Sequence, residues 1–273
     1  MAALLTTTAR QNASDLHIAV GKKPSIRIDG KLIDLESEPI ITPEIAEGLL
    51  TSLLTPDQLY HLKTAREIDF SFTHDVDIAR FRSNIFYQKG YIAGAFRLIP
   101  PKIRTIEELQ LPVILHDIAK LSQGFVLVVG PAGHGKSTTM AAVIDEINHQ
   151  RTDHIITIED PIEYQFKQDR AIISQREVGN DTPTFDSGLR SILRQDPDVI
   201  MIGEMRDATS IATAMTASET GHLVFATLHT NSASQTIDRI IDTFPAEQQS
   251  QATSQLAATL VAVVSQKKKK KIG

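Results

Sequence analysis

The chain of 273 residues contains no cysteine and no tryptophan. Without cysteine there can be no disulfide, no thiol nucleophile and no cysteine-ligated zinc, a composition that suits a reducing intracellular compartment. Aromatic residues make up only 5% of the chain and the formal charge is -5, so the basic, aromatic-studded face expected of a nucleic-acid motor is not foreseen. Long apolar runs are also missing: stretches such as Phe125 to Val129 fall far short of the ~20 residues needed to cross a bilayer. Met1 to Arg10 lacks the charged start and extended apolar core of a secretion signal. The expectation is a cytoplasmic protein that binds no nucleic acid and has no stable membrane insertion.

What is present is the make-up of a globular protein, 41% apolar and 22% charged, in a chain long enough for two cores. The first hundred residues read as a small α/β domain. Strands are expected at Leu16 to Val20, Ser25 to Leu32 (folded at Asp29-Gly30), Glu67 to Thr73, Ile78 to Gln88 and Tyr91 to Leu98. Helices are expected after Thr42-Pro43 and Thr55-Pro56, each a capping residue before a proline suited to the first turn. Pro100-Pro101, Lys102 to Arg104 and Leu111-Pro112 resist both helix interior and central strand. The expected division is therefore 1–99 for the first domain, 100–115 for a hinge and 116–273 for the second domain.

In the second domain, apolar runs at Phe125 to Val129, Ile155 to Ile158, Val199 to Ile202 and Leu223 to Leu228 alternate with helical segments, the pattern of a parallel sheet covered by helices. There is no internal repeat, and the lysine run Lys267 to Lys271 reads as a solvated tail.

Chemistry concentrates at the carboxyl ends of these four strands. Gly130, Pro131, Ala132, Gly133, His134, Gly135, Lys136 and Ser137 fit G-x-x-x-x-G-K-[ST], followed by Thr138 and a segment whose Met140, Val143, Ile144 and Ile147 recur at helical spacing. Glycines let backbone N–H groups converge on phosphate oxygens, Lys136 reaches the outer phosphates, and the Ser137 hydroxyl is offered to Mg²⁺. His134 lies among residues that act through their backbone and is given no chemical role.

The strand at Ile155 to Ile158 runs into Glu159, Asp160 and Glu163, any of which could hold Mg²⁺ through water or orient the attacking water, with Glu163 preferred. The strand at Val199 to Ile202 ends at Gly203-Glu204, where many P-loop enzymes place an aspartate before the second acid. Glu204 is therefore the residue expected to polarise water for attack on the γ-phosphate of ATP. On the fourth strand His229 lies at the carboxyl end beside these groups and reads as a γ-phosphate sensor. His222, at the other end, reaches phosphate only if its loop folds back.

Four segments, GPAGHGKST, IEDPIEY, IMIGEMRD and TGHLVFATLHT, together resemble the secretion ATPase superfamily of type II secretion and type IV pili, in its pilus-retraction branch. The resemblance extends through ASDLHI, RIDG and ARFRSNIF in the first half, and through QREVG and FPAEQ in the second. It implies a PAS-like N-terminal domain followed by a RecA-like P-loop NTPase domain, and a homohexamer with ATP and Mg²⁺ held between the two domains. It further implies that Arg82, Arg97 and Arg104 neutralise the phosphates. A motor for pilus retraction and twitching motility follows, docked on the platform protein at the inner-membrane face. The alternatives are a pilus-extension or type II secretion ATPase, which would typically carry a four-cysteine metal site, or a non-hydrolysing ring subunit. Two departures stand out: Ala132 replaces a common threonine, and Gly273 precedes the C-terminal helices of the resembled family.

Overall fold

The computed structural model describes residues 1–75, 79–99, 102–205 and 207–267, divided into two compact units at Lys102/Ile103. Ile78, Pro100, Pro101, Arg206 and Lys268 to Lys271, which entered the strand, hinge, motif and tail expectations, lie outside the described residues.

The first unit contains α1 (Ala2–Arg10), β1 (Asp15–Ile18), β2 (Ser25–Ile28), β3 (Lys31–Asp34), α2 (Pro43–Thr51), α3 (Pro56–Ala65), β4 (Glu67–Asp75), β5 (Ala79–Gln88) and β6 (Tyr91–Ile99). Its strands form an antiparallel sheet in the order β3-β2-β1-β6-β5-β4. Asp29 and Gly30 fold the β2–β3 hairpin with φ of 48° and 82°, the left-handed pair that a two-residue turn matching strand twist requires. Both threonine-proline starts cap helices: Thr42 Oγ1 accepts from Ile45 N at 3.3 Å, and Thr55 forms the reciprocal box with Gln58. Helix α1 escaped the sequence reading because three threonines and an uncapped start weaken its propensity; it is held by burial of Leu4 and Leu5. The core is filled by Leu16, Ile18, Leu50, Leu62, Phe81, Ile85 and Phe96.

The second unit contains α4 (Ile114–Ala119), β7 (Gly124–Val129), α5 (Lys136–Gln150), β8 (His154–Glu159), β9 (Ile172–Glu177), α6 (Phe185–Ile192), β10 (Val199–Ile202), α7 (Ala208–Glu219), β11 (Leu223–Leu228), α8 (Ala233–Asp242), α9 (Ala246–Thr259) and β12 (Leu260–Ser265). Neighbours are parallel throughout the order β12-β7-β11-β10-β8-β9. Strand β7 is buried on both sides: Phe125, Leu127 and Val129 feed one core, Val126 and Val128 the other. This explains its unbroken apolar run. Registers Val129↔Leu228, Ile202↔Ala226 and Ile202↔Ile158 bring the carboxyl ends of β7, β11, β10 and β8 to one edge. Four strands were expected; β9 and β12 add one at each margin, where short segments with exposed residues give little periodic signal.

Candidate nucleotide site

At the carboxyl edge of the second sheet, β7 passes into a loop that turns on left-handed glycines, with φ of 74° at Gly133 and 88° at Gly135, the N-cap of α5. A side chain would be strained at both positions. Lys136, in the first turn of α5, is only 7% exposed. Its Nζ donates to Gly130 O at 2.8 Å, to Pro131 O at 3.2 Å and to His229 Nδ1 at 3.1 Å. Burial pushes the ammonium pKa down, while the Glu204 and Glu163 carboxylates hold it up. The Ser137 hydroxyl makes no hydrogen bond among the described residues, whereas Thr138 Oγ1 lies 2.9 Å from the Tyr164 hydroxyl. The His134 ring folds onto its own loop, Nδ1 to Ala132 O at 3.0 Å.

The acidic segment after β8 is held from within the sheet. Glu159, 6% exposed, accepts at Oε1 from Thr157 Oγ1 at 2.8 Å and from Gln175 Nε2 at 3.2 Å. Burial raises its pKa to about 7, more than these hydrogen bonds lower it. Gln175 also donates to Tyr164 O at 2.7 Å and accepts from Phe166 N at 2.9 Å. Buried Glu177 accepts from Ile162 N at 3.0 Å. Two side chains of β9 thus fix the backbone on both sides of half-buried Glu163.

Gly203 explains the absent aspartate. A Cβ there would stand 3.2 Å from Ile158 O and 3.3 Å from Glu159 Cα, because the chain leaving β10 stays close to β8. Gly203 N donates to Ile158 O at 2.8 Å, and its carbonyl accepts from Thr227 Oγ1 at 2.5 Å. Glu204 follows directly and meets His229, Oε1 to Nε2, at 3.1 Å. Glu204, His229 and Lys136 therefore form one connected chain of side chains at the loop.

With that geometry in view, a profile of the family described as "Type II/IV secretion system protein" matches residues 105–272. The type IV pilus retractation ATPase PilT of Pseudomonas aeruginosa is 45% identical over 270 residues, covering 99% of this chain and 78% of that protein. The chain belongs to the type II/IV secretion system protein family. Another relative, the twitching motility protein of Neisseria gonorrhoeae, is 43% identical over 263 residues, covering 96% of this chain and 70% of its own. The crystal structure of the pilus retraction motor PilT with bound ADP matches with a TM-score of 0.93 and 45% identity, covering 98% of this chain and 78% of that one. The fold is accordingly that family's α/β pair, an N-terminal domain and a RecA-like ATPase domain.

Not every residue singled out for this family's site comes to the same edge. Gly130 to Thr138, Glu159, Glu163, Glu204 and His229 do. His222 does not: it precedes β11 at the opposite edge, about 20 Å away at ~3.3 Å per strand residue. Its Nδ1 instead donates to Ala217 O at 2.8 Å in the last turn of α7, so a phosphate contact within its own chain is withdrawn. Arg104 is exposed in the loop before α4.

Arg82 and Arg97 lie in the first unit, in a row the sequence reading missed. The registers Arg27↔Asp15, Asp15↔Arg97 and Arg97↔Arg82 put three arginines and one aspartate side by side on one face. Asp15 Oδ1 accepts from Arg97 Nε at 3.1 Å, and Asp15 Oδ2 accepts from Ser14 Oγ at 2.8 Å. Asp15, Tyr164, Gln175 and Glu177 lie within the segments ASDLHI, IEDPIEY and QREVG, but none of them was given a role of its own from the sequence. For the arginine row, the period-two pattern of β1, β5 and β6 gives a face without giving a register.

Proposed function

We propose that this chain is a Mg²⁺-dependent ATPase that works as a homohexameric motor for type IV pilus retraction, converting ATP to ADP and phosphate. The observation that carries the reading is the Glu204–His229–Lys136 chain, set at the end of a P-loop and on the same sheet edge as Glu159 and Glu163. An anion at the loop would draw the Lys136 ammonium from the Gly130 and Pro131 carbonyls, and His229 would register that movement at Glu204. Glu204 would then accept a proton from water attacking the γ-phosphate, with Glu163 orienting that water.

The residues present fit the nucleotide and the cation. The loop supplies backbone amides turned by left-handed Gly133 and Gly135 and a buried ammonium, and the Ser137 hydroxyl makes no hydrogen bond among the described residues. No group of three His, Asp or Glu able to hold a metal occurs among the described residues, so Mg²⁺ would rest on Ser137, phosphate oxygens and water. When bound, the cation neutralises charge developing on the transferred phosphoryl group. Arg82 and Arg97 of the first unit and Arg104 of the loop before α4 would add positive charge at the phosphates, with Asp15 orienting Arg97.

The 1–99 and 116–273 domains would close and reopen about residues 100–115 in each cycle, and a ring would pass that motion round. None of the described helices is long and apolar enough to cross a membrane. The proposed place of work is the cytoplasmic side of the inner membrane, against the pilus platform protein. Retraction is favoured over extension because the 45%- and 43%-identical relatives are named for retraction and twitching. The test has two parts: Mg²⁺-dependent phosphate release by the assembled protein, and restoration of twitching in cells lacking their own retraction ATPase. Release and restored twitching, both abolished by Lys136→Ala, are expected; nucleotide binding without turnover would make the chain a regulatory subunit instead.

A further inference from the structure

The margin strand β12 ends against the phosphate loop. Ser265 pairs with Val129, and the next residue, Gln266, donates its backbone N–H to Val129 O at 2.8 Å. Gln266 then touches the loop at three places. Its carbonyl oxygen would lie 2.3 Å from a Cβ on Gly130, an approach that only glycine permits. Its side-chain Nε2 stands 3.2 Å from the position a Cβ on Gly135 would take. Its Oε1 accepts from Thr139 Oγ1 at 2.9 Å, and Thr139 is 1% exposed, inside the first turns of α5. One residue from the far end of the unit therefore spans the loop from its first glycine to the helix that follows its last.

We infer that Gln266 is a positioning residue that clamps the two ends of the phosphate loop together and so sets its affinity for adenine nucleotides. It acts through Gly130 and Thr139. A loop whose ends are held apart by a fixed distance keeps its amides converged, and the ordering cost is met before a nucleotide arrives. On this account Gly130 is glycine because the Gln266 carbonyl packs against it, a reason separate from any phosphate contact.

The inference rests on the reading of 130–138 as a nucleotide site. Its test is a double-mutant cycle with two near-isosteric changes, Gln266→Met and Thr139→Val, read as the Kd of a fluorescent ADP analogue on the whole chain. Loss of one hydrogen bond predicts about a threefold to tenfold weaker Kd for each single variant. The double variant should be no worse than the weaker single one, because both remove the same bond. At saturating ATP, kcat should stay within about twofold of wild type, and hydrogen exchange in Gln266→Met should quicken at the Gly133 to Lys136 amides but not at the far end of α5. Multiplying effects, or an unchanged Kd in Gln266→Met, would overturn the assignment. Failure of the wild type itself to bind the analogue would instead overturn the nucleotide site.

Discussion

Nδ1 of His229 lies 3.1 Å from the Lys136 ammonium. An ammonium can only donate, so Nδ1 is the acceptor of that pair, and Nε2 on the other side of the ring faces Glu204 Oε1 3.1 Å away. His229 is thus placed to couple the group proposed to meet phosphate, Lys136, to the group proposed to handle water, Glu204. Replacing it with alanine should leave nucleotide Kd within a few-fold but lower kcat by about 10- to 100-fold, in the range of a lost acid–base or positioning group. Steady-state kinetics beside an equilibrium titration will separate the two quantities. A rise in KM with unchanged kcat would assign His229 to binding alone.

Gly203→Ala asks whether the close approach of β8 and the end of β10 matters. The new methyl would press on Ile158 O and Glu159 Cα, both backbone atoms with little freedom to yield. A loss of about 1 to 3 kcal/mol in unfolding free energy is expected, the usual range for overpacking. A fall in kcat should accompany it, because Glu159 and Glu204 flank the contact. Chemical denaturation together with phosphate release will show both effects; an unaffected enzyme would mean that the strands separate freely here.

Glu159 makes stability depend on pH. Its folded pKa, near 7, lies above the ordinary value of 4.5 because burial disfavours the carboxylate. Between those values the unfolded chain has lost the proton and the folded chain keeps it, so stability falls as pH rises from about 4.5 to 7 and is level beyond. Glu159→Gln keeps an oxygen for Thr157 and Gln175 and removes the ionisation. The variant should be more stable than wild type by up to about 2 to 3 kcal/mol at pH 8, with the advantage shrinking toward pH 5. Urea midpoints at pH 5, 6, 7 and 8 will test this; a constant difference would contradict a raised pKa.

Much of this architecture was legible from local pattern. Phe125 to Val129, Val199 to Ile202 and Leu223 to Leu228 are strands buried on both faces, so their apolar runs are continuous, and the glycine loop after the first announces phosphate chemistry without a fold. Asp29-Gly30 and the two threonine-proline caps are decided within four residues of chain. What was not legible depends on distance along the chain. Gln266 meets Thr139 across 127 residues and Arg97 meets Asp15 across 82, and neither pair has a spacing rule. His222 was ambiguous for the same reason: a strand has two ends, and only the fold shows that α7 claims this ring.

Glu204 is proposed to serve the attack of water and not nucleotide binding. The most direct measurement is a single-turnover experiment on Glu204→Gln, following bound ATP and released phosphate in the same sample. ATP should be held with a Kd within about threefold of wild type and phosphate release slowed by at least ~100-fold, a loss confined to the transition state. Release at the wild-type rate, or loss of ATP binding, would contradict it.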